Sequence, residues 1–478
     1  MALLSLALLC VVTIGASAAV ARMLPARLAE FKVPQVAGRA LAAPGPVLRA
    51  AAGIARPAAG PGRGHAVTKA GLSAAISGLV GSPALGPHVG ALVTDLSTGD
   101  ILYARHAGFP LAPASTTKLA TAIAALQVLG PGARFATRVV AGATPSSIIL
   151  VGGGDPTLAA GRPPGSDYPQ PATLASLATA TARALRAHGR RRIHLGLDTS
   201  LFTGSTLAPG WPASYVTTGN VTAITSLEVD QGRLTASGAP QDADDPGNFL
   251  PRSADPAGSA AAAFATLLRR RGIRVLGPVT QVRARPGRAT IAEVSSPPLA
   301  QILQWMLTES NNVIAENVGR QLAIATGRPA SFTGAAEAVM AVDKKLGVSH
   351  LKLVDSSGLS PADRITPDAL VRLIRVAAAA GHGRLRAAIT GLPVAGFSGT
   401  LALGPGAFGG TGKAALGMVR AKTGNLATVV ALAGVAYARN GQLLAFAVMA
   451  DQLPKTGLNA AGADVVDIAT ALARCGCR

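Results

Sequence analysis

Three short motifs in this chain of 478 residues carry side chains that can do nucleophilic chemistry together. The first is Ser115-Thr116-Thr117-Lys118. An unactivated serine hydroxyl is a poor nucleophile and needs a base beside it. On a helix, positions i and i+3 share a face, which brings the Lys118 amine to the Ser115 hydroxyl. Lysine serves as that base once its pKa falls well below the free value of about 10.4. Partial burial and the charge of a second lysine, Lys422, would both push it that way. A serine at a helix N-terminus also presents its N–H where an oxyanion can be stabilised.

The second motif is Ser310-Asn311-Asn312, the sole S-x-N of the sequence. The third is Lys422-Thr423-Gly424, within a β-type run. On an edge strand, its glycine would let a substrate backbone approach. Two decoys compete. Ser349-His350-Leu351-Lys352 flanks a strand-like run, where i and i+3 fall on opposite faces. Lys455-Thr456-Gly457 follows Leu453-Pro454 and leads toward a helix. Together Leu453 to Gly457 match an L-P-x-T-G sorting signal, but Asp464 and Asp467 interrupt the apolar span that should follow. Coincidence is the better reading.

Other chemistries find little support. There is no G-x-S-x-G elbow. The seven histidines are dispersed, with no H-E-x-x-H and no paired Cys/His spacing, so neither metal nor cofactor is expected. Gly152-Gly153-Gly154 lacks the Lys-Ser/Thr of a phosphate loop, and Asp155-Pro156 reads as a turn.

These residues need a frame. Val89 to Asp95 and Asp100 to Tyr103 read as a hairpin joined through Ser97-Thr98-Gly99. The nucleophile motif then opens an apolar helix, Leu119 to Leu129, stopped by Gly130-Pro131. After Pro297-Pro298 a helix is expected to carry Ser310. Strands Val419 to Lys422, Thr428 to Ala438 and Leu443 to Ala450 precede a last helix near Val465 to Ala473. The expected class is α/β, an antiparallel sheet flanked by helices. Its parts would be a signal peptide or membrane anchor over 1–21, an Ala/Pro/Gly-rich linker over 22–65, catalytic segments over 66–134 and 293–478, and an inserted accessory region over 135–292.

The formal net charge of +21 draws a chain toward polyanions. No nucleic-acid motif with interleaved aromatics accompanies it, so no nucleic-acid partner is expected. The runs Arg190-Arg191-Arg192 and Arg269-Arg270-Arg271 each follow a helical stretch, where cations complement the dipole; solvated helix ends account for them. Residues 1–21 lack charge and contain Ala16-Ser17-Ala18, a small-residue cleavage pattern without a basic n-region. Export to the extracytoplasmic side, at the wall or anchored on the membrane, is expected. Cys475 and Cys477 could pair there only through a very small loop.

The ordered trio S-x-x-K, S-x-N, K-T-G resembles the penicillin-binding proteins and serine β-lactamases. The resemblance extends to Pro113 through Lys118, Gly152 through Leu158, Gly210-Trp211-Pro212, Asp355 through Ser360, and Arg364-Ile365-Thr366-Pro367. These runs are similar to the D-alanyl-D-alanine carboxypeptidase/endopeptidase family, the class C low-molecular-mass penicillin-binding proteins, over about residues 66 to 478. The long interval between Ser115 and Ser310 fits that family's inserted domains rather than a compact β-lactamase.

The resemblance implies a serine-type D-Ala-D-Ala carboxypeptidase acting on peptidoglycan stem peptides through an acyl-enzyme, inhibited by β-lactams, with endopeptidase use open. A serine β-lactamase, or a non-catalytic wall-binding or penicillin-sensing protein, is the alternative. It implies catalytic roles for Ser115, Lys118 and Ser310, and substrate contacts from Asn312, Lys422, Thr423, Gly424 and Asn425. Ser115 and Asn425 would supply the oxyanion N–H groups. Many relatives carry Thr or Ser where this chain has Asn425.

Overall fold

Alternating apolar residues make the central sheet. In the computed structural model, which describes residues 66–161, 169–234, 251–402, 408, 410–454 and 457–477, strand β1 (His88–Asp95) pairs antiparallel with β2 (Ile101–Arg105). Strands β11 (Val419–Leu426), β12 (Val429–Tyr437) and β13 (Leu443–Asp451) complete an all-antiparallel sheet of order β11-β12-β13-β1-β2. The β1–β2 turn closes on Asp95, whose carboxylate accepts from the N–H groups of Ser97 at 2.6 Å and Thr98 at 3.0 Å. The expected leader and linker, and Lys455 and Thr456 of the decoy, lie outside the described residues.

Side chains on successive residues of a strand point to opposite faces, and here the two faces have different cores. Val89, Ala91, Val93, Phe446 and Val448 pack on α1 (Lys69–Val80) and on α9 (Leu458–Arg474) through Leu72, Ile76, Ile468 and Leu472. Leu92, Ala431, Ala433, Ala445, Ala447 and Met449 face a helical layer. That layer contains α2 (Thr117–Leu129), α5 (Leu299–Thr308), α6 (Asn312–Ala325), α7 (Phe332–Lys345) and α8 (Pro367–Ala378). Helix α2 is buried all round from Thr117 to Leu126, as expected of a helix apolar on every side. Gly130, at φ +80°, ends it.

A second, mixed sheet occupies the segment between the S-x-x-K and S-x-N motifs. Its strands β3 (Ala136–Ala141), β4 (Ser147–Val151), β5 (Arg192–Asp198), β6 (Arg274–Val275) and β8 (Thr290–Ser295) run in the order β6-β5-β4-β3-β8, and β7 (Thr280–Gln281) also pairs with β5. Parallel β4–β5 and β5–β6 pairs need crossover helices, supplied by α3 (Leu174–Ala187) and α4 (Pro256–Arg270). Its core is its own: Val139, Ile148, Leu150, Leu177, Ile193, Leu195, Phe264 and Leu268.

Near the end of the chain Cys475 and Cys477 are joined as a disulfide. No helix among the described residues is long and apolar enough to cross a membrane.

Candidate active site

Ser115 sits in a 3-10 turn, Ala114–Thr116, that runs directly into α2. Ala114 is left-handed, at φ +46°, a conformation that costs a non-glycine residue energy and persists only where the surroundings enforce it. One enforcing contact is the edge strand β11. A Cβ on Gly424 would stand 2.7 Å from the Pro113 carbonyl oxygen and 3.2 Å from the Ser115 nitrogen. The K-T-G glycine therefore admits the turn that carries Ser115, a constraint beside the room for a substrate backbone that the sequence suggested.

Lys118 is fully buried one helical turn below. Its Nζ lies 2.9 Å from Ser115 Oγ, 2.7 Å from Asn312 Oδ1 and 2.7 Å from the Ser357 carbonyl oxygen. The two carbonyl-type oxygens can only accept. A neutral amine has two N–H bonds and one lone pair, so with both N–H groups taken its lone pair faces the serine hydroxyl. Burial pulls the Lys118 pKa down to about 7, against the carboxylates of Asp355, Glu316 and Asp363, which favour the ammonium.

Lys422 is equally buried, on β11, and donates to the Thr423 carbonyl oxygen at 2.9 Å. Thr423 Oγ1 donates to Thr400 Oγ1 at 2.9 Å. Burial holds the Lys422 pKa well below its usual range, the Lys118 charge pushes the same way, and Glu309 opposes. The repulsion expected to lower Lys118 thus falls on Lys422, while Lys118 is lowered by burial. On β11, Lys422 and Gly424 pair with Ala433 and Ala431, whose side chains belong to the helical face. Asn425, next along, is exposed.

Ser310 is not on a helix. It occupies a left-handed turn, φ +57°, between α5 and α6. The reason lies in its neighbour. Asn311 caps α6, its Oδ1 accepting from the Ile314 N–H at 3.0 Å, so the chain must leave the helical conformation before it. Asn312 then opens α6. Its carboxamide accepts from Lys118 and donates to the Asn220 carbonyl oxygen at 2.9 Å. One lone pair and one N–H of that carboxamide remain for a ligand.

Beneath the lysine lies a layer that sequence reasoning did not assign. Asp355 accepts from the N–H groups of Ser357 at 3.1 Å, Gly358 at 2.6 Å and Ser360 at 2.7 Å, and from Trp211 Nε1 at 2.9 Å. The loop wrapped on this one carboxylate presents the Ser357 carbonyl to Lys118. Gly358, at φ +82°, packs against the Ala114 carbonyl and would admit no side chain. Glu316, one turn beyond Asn312 on α6, accepts from the Ser356 N–H at 3.1 Å. Burial, reinforced by the charge of Asp355, pushes the Glu316 carboxyl up to about 8. Its neighbour Arg320 stacks 4.0 Å over the Phe332 ring. The i, i+4 run Asn312, Glu316, Arg320 was a signal available in the sequence. Asn220 and Ser357 act through backbone carbonyls, which leave none.

The decoys fall elsewhere. Lys352 is exposed on the two-residue strand β9 (Leu351–Lys352), and Gly457 precedes α9 rather than lying on a strand. Gly154 to Thr157 form the expected turn, with Asp155 accepting from the Thr157 N–H at 2.8 Å.

The sequence model of the D-Ala-D-Ala carboxypeptidase 3 (S13) family matches residues 72–249 and 233–472. Carboxypeptidase DacB of Mycolicibacterium smegmatis is 37% identical over 418 residues, 86% of this chain and 85% of that protein. A D-alanyl-D-alanine carboxypeptidase of Actinomadura sp. is 31% identical over 448 residues, 78% of this chain and 80% of its own. Among solved structures, penicillin binding protein 4 (dacB) from Haemophilus influenzae superposes with a TM-score of 0.65 at 21% identity, covering 84% of this chain and 98% of that one. That likeness is one of fold.

Proposed function

The chain belongs to the D-Ala-D-Ala carboxypeptidase 3 (S13) family and is a D-Ala-D-Ala carboxypeptidase, a premise from which we propose that Ser115 is its nucleophile and Lys118 the base. The observation that carries this assignment is the set of three contacts at Lys118 Nζ: Asn312 Oδ1 and the Ser357 carbonyl take two N–H groups, so in the neutral amine the lone pair is the group left for Ser115 Oγ at 2.9 Å.

The reaction runs in two stages. Lys118 takes the hydroxyl proton as Ser115 Oγ attacks the carbonyl carbon of the penultimate D-alanine. The N–H groups of Ser115 and Asn425 stabilise the oxyanion. The C–N bond breaks, Ser310 relays a proton to the departing amine, and an ester on Ser115 remains. Water then attacks that ester, and its proton returns through Lys118. Asn312 contributes its free lone pair and N–H to the substrate backbone.

Lys422 and Thr423 hold the substrate's terminal carboxylate, and Gly424 holds the nucleophile turn in register. An arriving carboxylate favours the ammonium form, so substrate binding raises the pKa that burial has lowered in Lys422. Residues 66–134 and 293–478 make the catalytic body, 135–292 the accessory insertion, and 1–21 the export signal or anchor. The working place is the extracytoplasmic wall, on stem peptides of peptidoglycan, with endopeptidase cleavage of cross-links a second use of the same site.

A solved relative of the same fold is complexed with a β-lactam, and the strained ring amide mimics the scissile bond. Penicillin is expected to form a long-lived adduct on Ser115, seen by intact mass and abolished in Ser115→Ala. Rapid turnover without an accumulating adduct would make the site a β-lactamase. An adduct that survives Ser115→Ala would displace Ser115.

A further inference from the structure

Helix α6 borders a second cleft toward its far end. Nine residues beyond Asn312, about 14 Å along the axis, Gln321 and then Ile324 line a cleft of ≈ 930 Å³ bounded by strands of the second sheet. Five arginines line it: Arg134 and Arg138 near β3, Arg283 and Arg285 in the loop after β7, and Arg328 just past α6. A single carboxylate, Asp198, faces them, and it is occupied: its oxygens accept from the Ser200 N–H at 2.8 Å and the Ala284 N–H at 2.7 Å. The second bond pins the loop between Arg283 and Arg285, fixing the two guanidinium stems on either side. Arg138 pairs with Glu293, and Arg134 donates to the Ser296 carbonyl. Among the described residues, Arg283, Arg285 and Arg328 have no side-chain hydrogen bond and no ion pair.

Three unpaired guanidinium groups in one cleft repel each other, and a folded chain gains nothing by collecting them without a counter-charge. Each carries a planar fork of donors matched to an oxyanion. They come from two separate segments, and a cleft of ≈ 930 Å³ is far larger than one small ion. We propose that this cleft binds a linear polyanion, a chain bearing repeated phosphate or carboxylate groups, and holds the enzyme on it while the Ser115 site stays open. Phosphate and carboxylate polymers share the chemistry the forks recognise; the probes separate them.

The test uses the full chain and fluorescence anisotropy with labelled polyphosphate and labelled poly-L-glutamate at fixed salt. Two charge-matched variants are compared. Arg283→Glu/Arg285→Glu alters the cleft. Arg269→Glu/Arg270→Glu alters the exposed C-terminal end of α4, which the cleft does not include. The cleft variant is expected to weaken binding of the preferred polymer at least tenfold and the control by about twofold or less. Arg328→Gln, on a different element, should give an intermediate loss. Hydrolysis of a short D-Ala-D-Ala peptide should be unchanged in all three, which shows them folded. Equal losses in the two double variants would reduce the effect to net charge and overturn the proposal, as would absence of saturable binding. A short DNA duplex competing better than either polymer would reassign the cleft to nucleic acid.

Discussion

The two ends of α6 use positive charge in opposite ways. At its N-terminus, Lys118 and Lys422 are buried and hydrogen-bonded, and burial pulls both toward the neutral amine. At its far end, Arg283 and Arg285 stand exposed on the wall of a cleft. Proton transfer needs a cation that can cease to be one; lysine under desolvation does this. Guanidinium in solvent keeps its charge before any anion arrives, whereas Lys422 regains the charge that burial opposes only as the substrate carboxylate binds. Residue type and burial together, rather than charge alone, assign each end its chemistry.

The sharpest way to break this comparison is to put an arginine where the lysine works. Lys118→Arg keeps the cation and several donors, but guanidinium does not deprotonate near neutral pH. Acylation by penicillin should fall about 10³-fold, within the range usual for loss of a general base. Stopped-flow rates across pH are the measurement. A variant within a few-fold of the parent would remove Lys118 as base and leave Ser310, acting with Lys422, as the alternative.

Next in size is Lys422→Ala. Removing the group assigned to the substrate carboxylate should cost on the order of a hundredfold in kcat/KM on a D-Ala-D-Ala peptide. Lys455→Ala, in the other K-T-G, should stay near the parent. Equal losses would mean that the two motifs had been assigned the wrong way round.

Why one motif and not the other was legible follows from secondary structure. A β-run around Lys422 and a helix start at Ser115 are periodic features, so the positions of Ser115, Lys118 and Lys422 could be read directly. The hairpin and the apolar α2 follow from the same patterns, while the edge position of β11 was expected from the K-T-G motif itself and is observed. Ser310 could not be placed this way, because its left-handed turn is set by the capping of Asn311. The Ser357 and Asn220 carbonyls carry no residue-type signal. The packing of Gly424 on Pro113 and Ser115 was not legible, because that constraint is a chain segment far away in sequence. The arginine cleft gathers Arg134, Arg283 and Arg328 from three places in the chain, while the visible arginine runs lie outside it.

A smaller effect tests the loop that holds the lysine's carbonyl partner. Trp211→Phe removes the indole N–H from Asp355 and leaves a buried acceptor short of one bond. The loss should be about 1–3 kcal/mol of stability, read as a lower midpoint in urea, with Ser115 acylation slowed only a few-fold. An unchanged midpoint would mean that the three backbone N–H groups hold Asp355 unaided.

The smallest expected effect is also the most specific: the pH at which the lysine becomes a base. Acylation should rise as Lys118 loses its proton through pH about 7. Glu316 ionises near the same range, its carboxyl raised to about 8 by burial and by Asp355. Each carboxylate formed near Lys118 favours the ammonium, so ionisation of Glu316 works against the base and broadens the rise. Glu316→Gln keeps an oxygen acceptor for the Ser356 N–H and removes that charge. The acidic limb should steepen and move down by on the order of half a pH unit, with the plateau rate within about twofold of the parent. Stability carries the opposite sign. A carboxyl whose pKa is raised on folding contributes stability that is present below its unfolded value and lost as pH rises through its folded one. Between about pH 4.5 and 8 the parent should therefore lose midpoint temperature that Glu316→Gln retains. An upward shift of the limb, or a collapsed plateau with parent-like pH dependence, would make Glu316 a packing residue with no hold on the Lys118 proton.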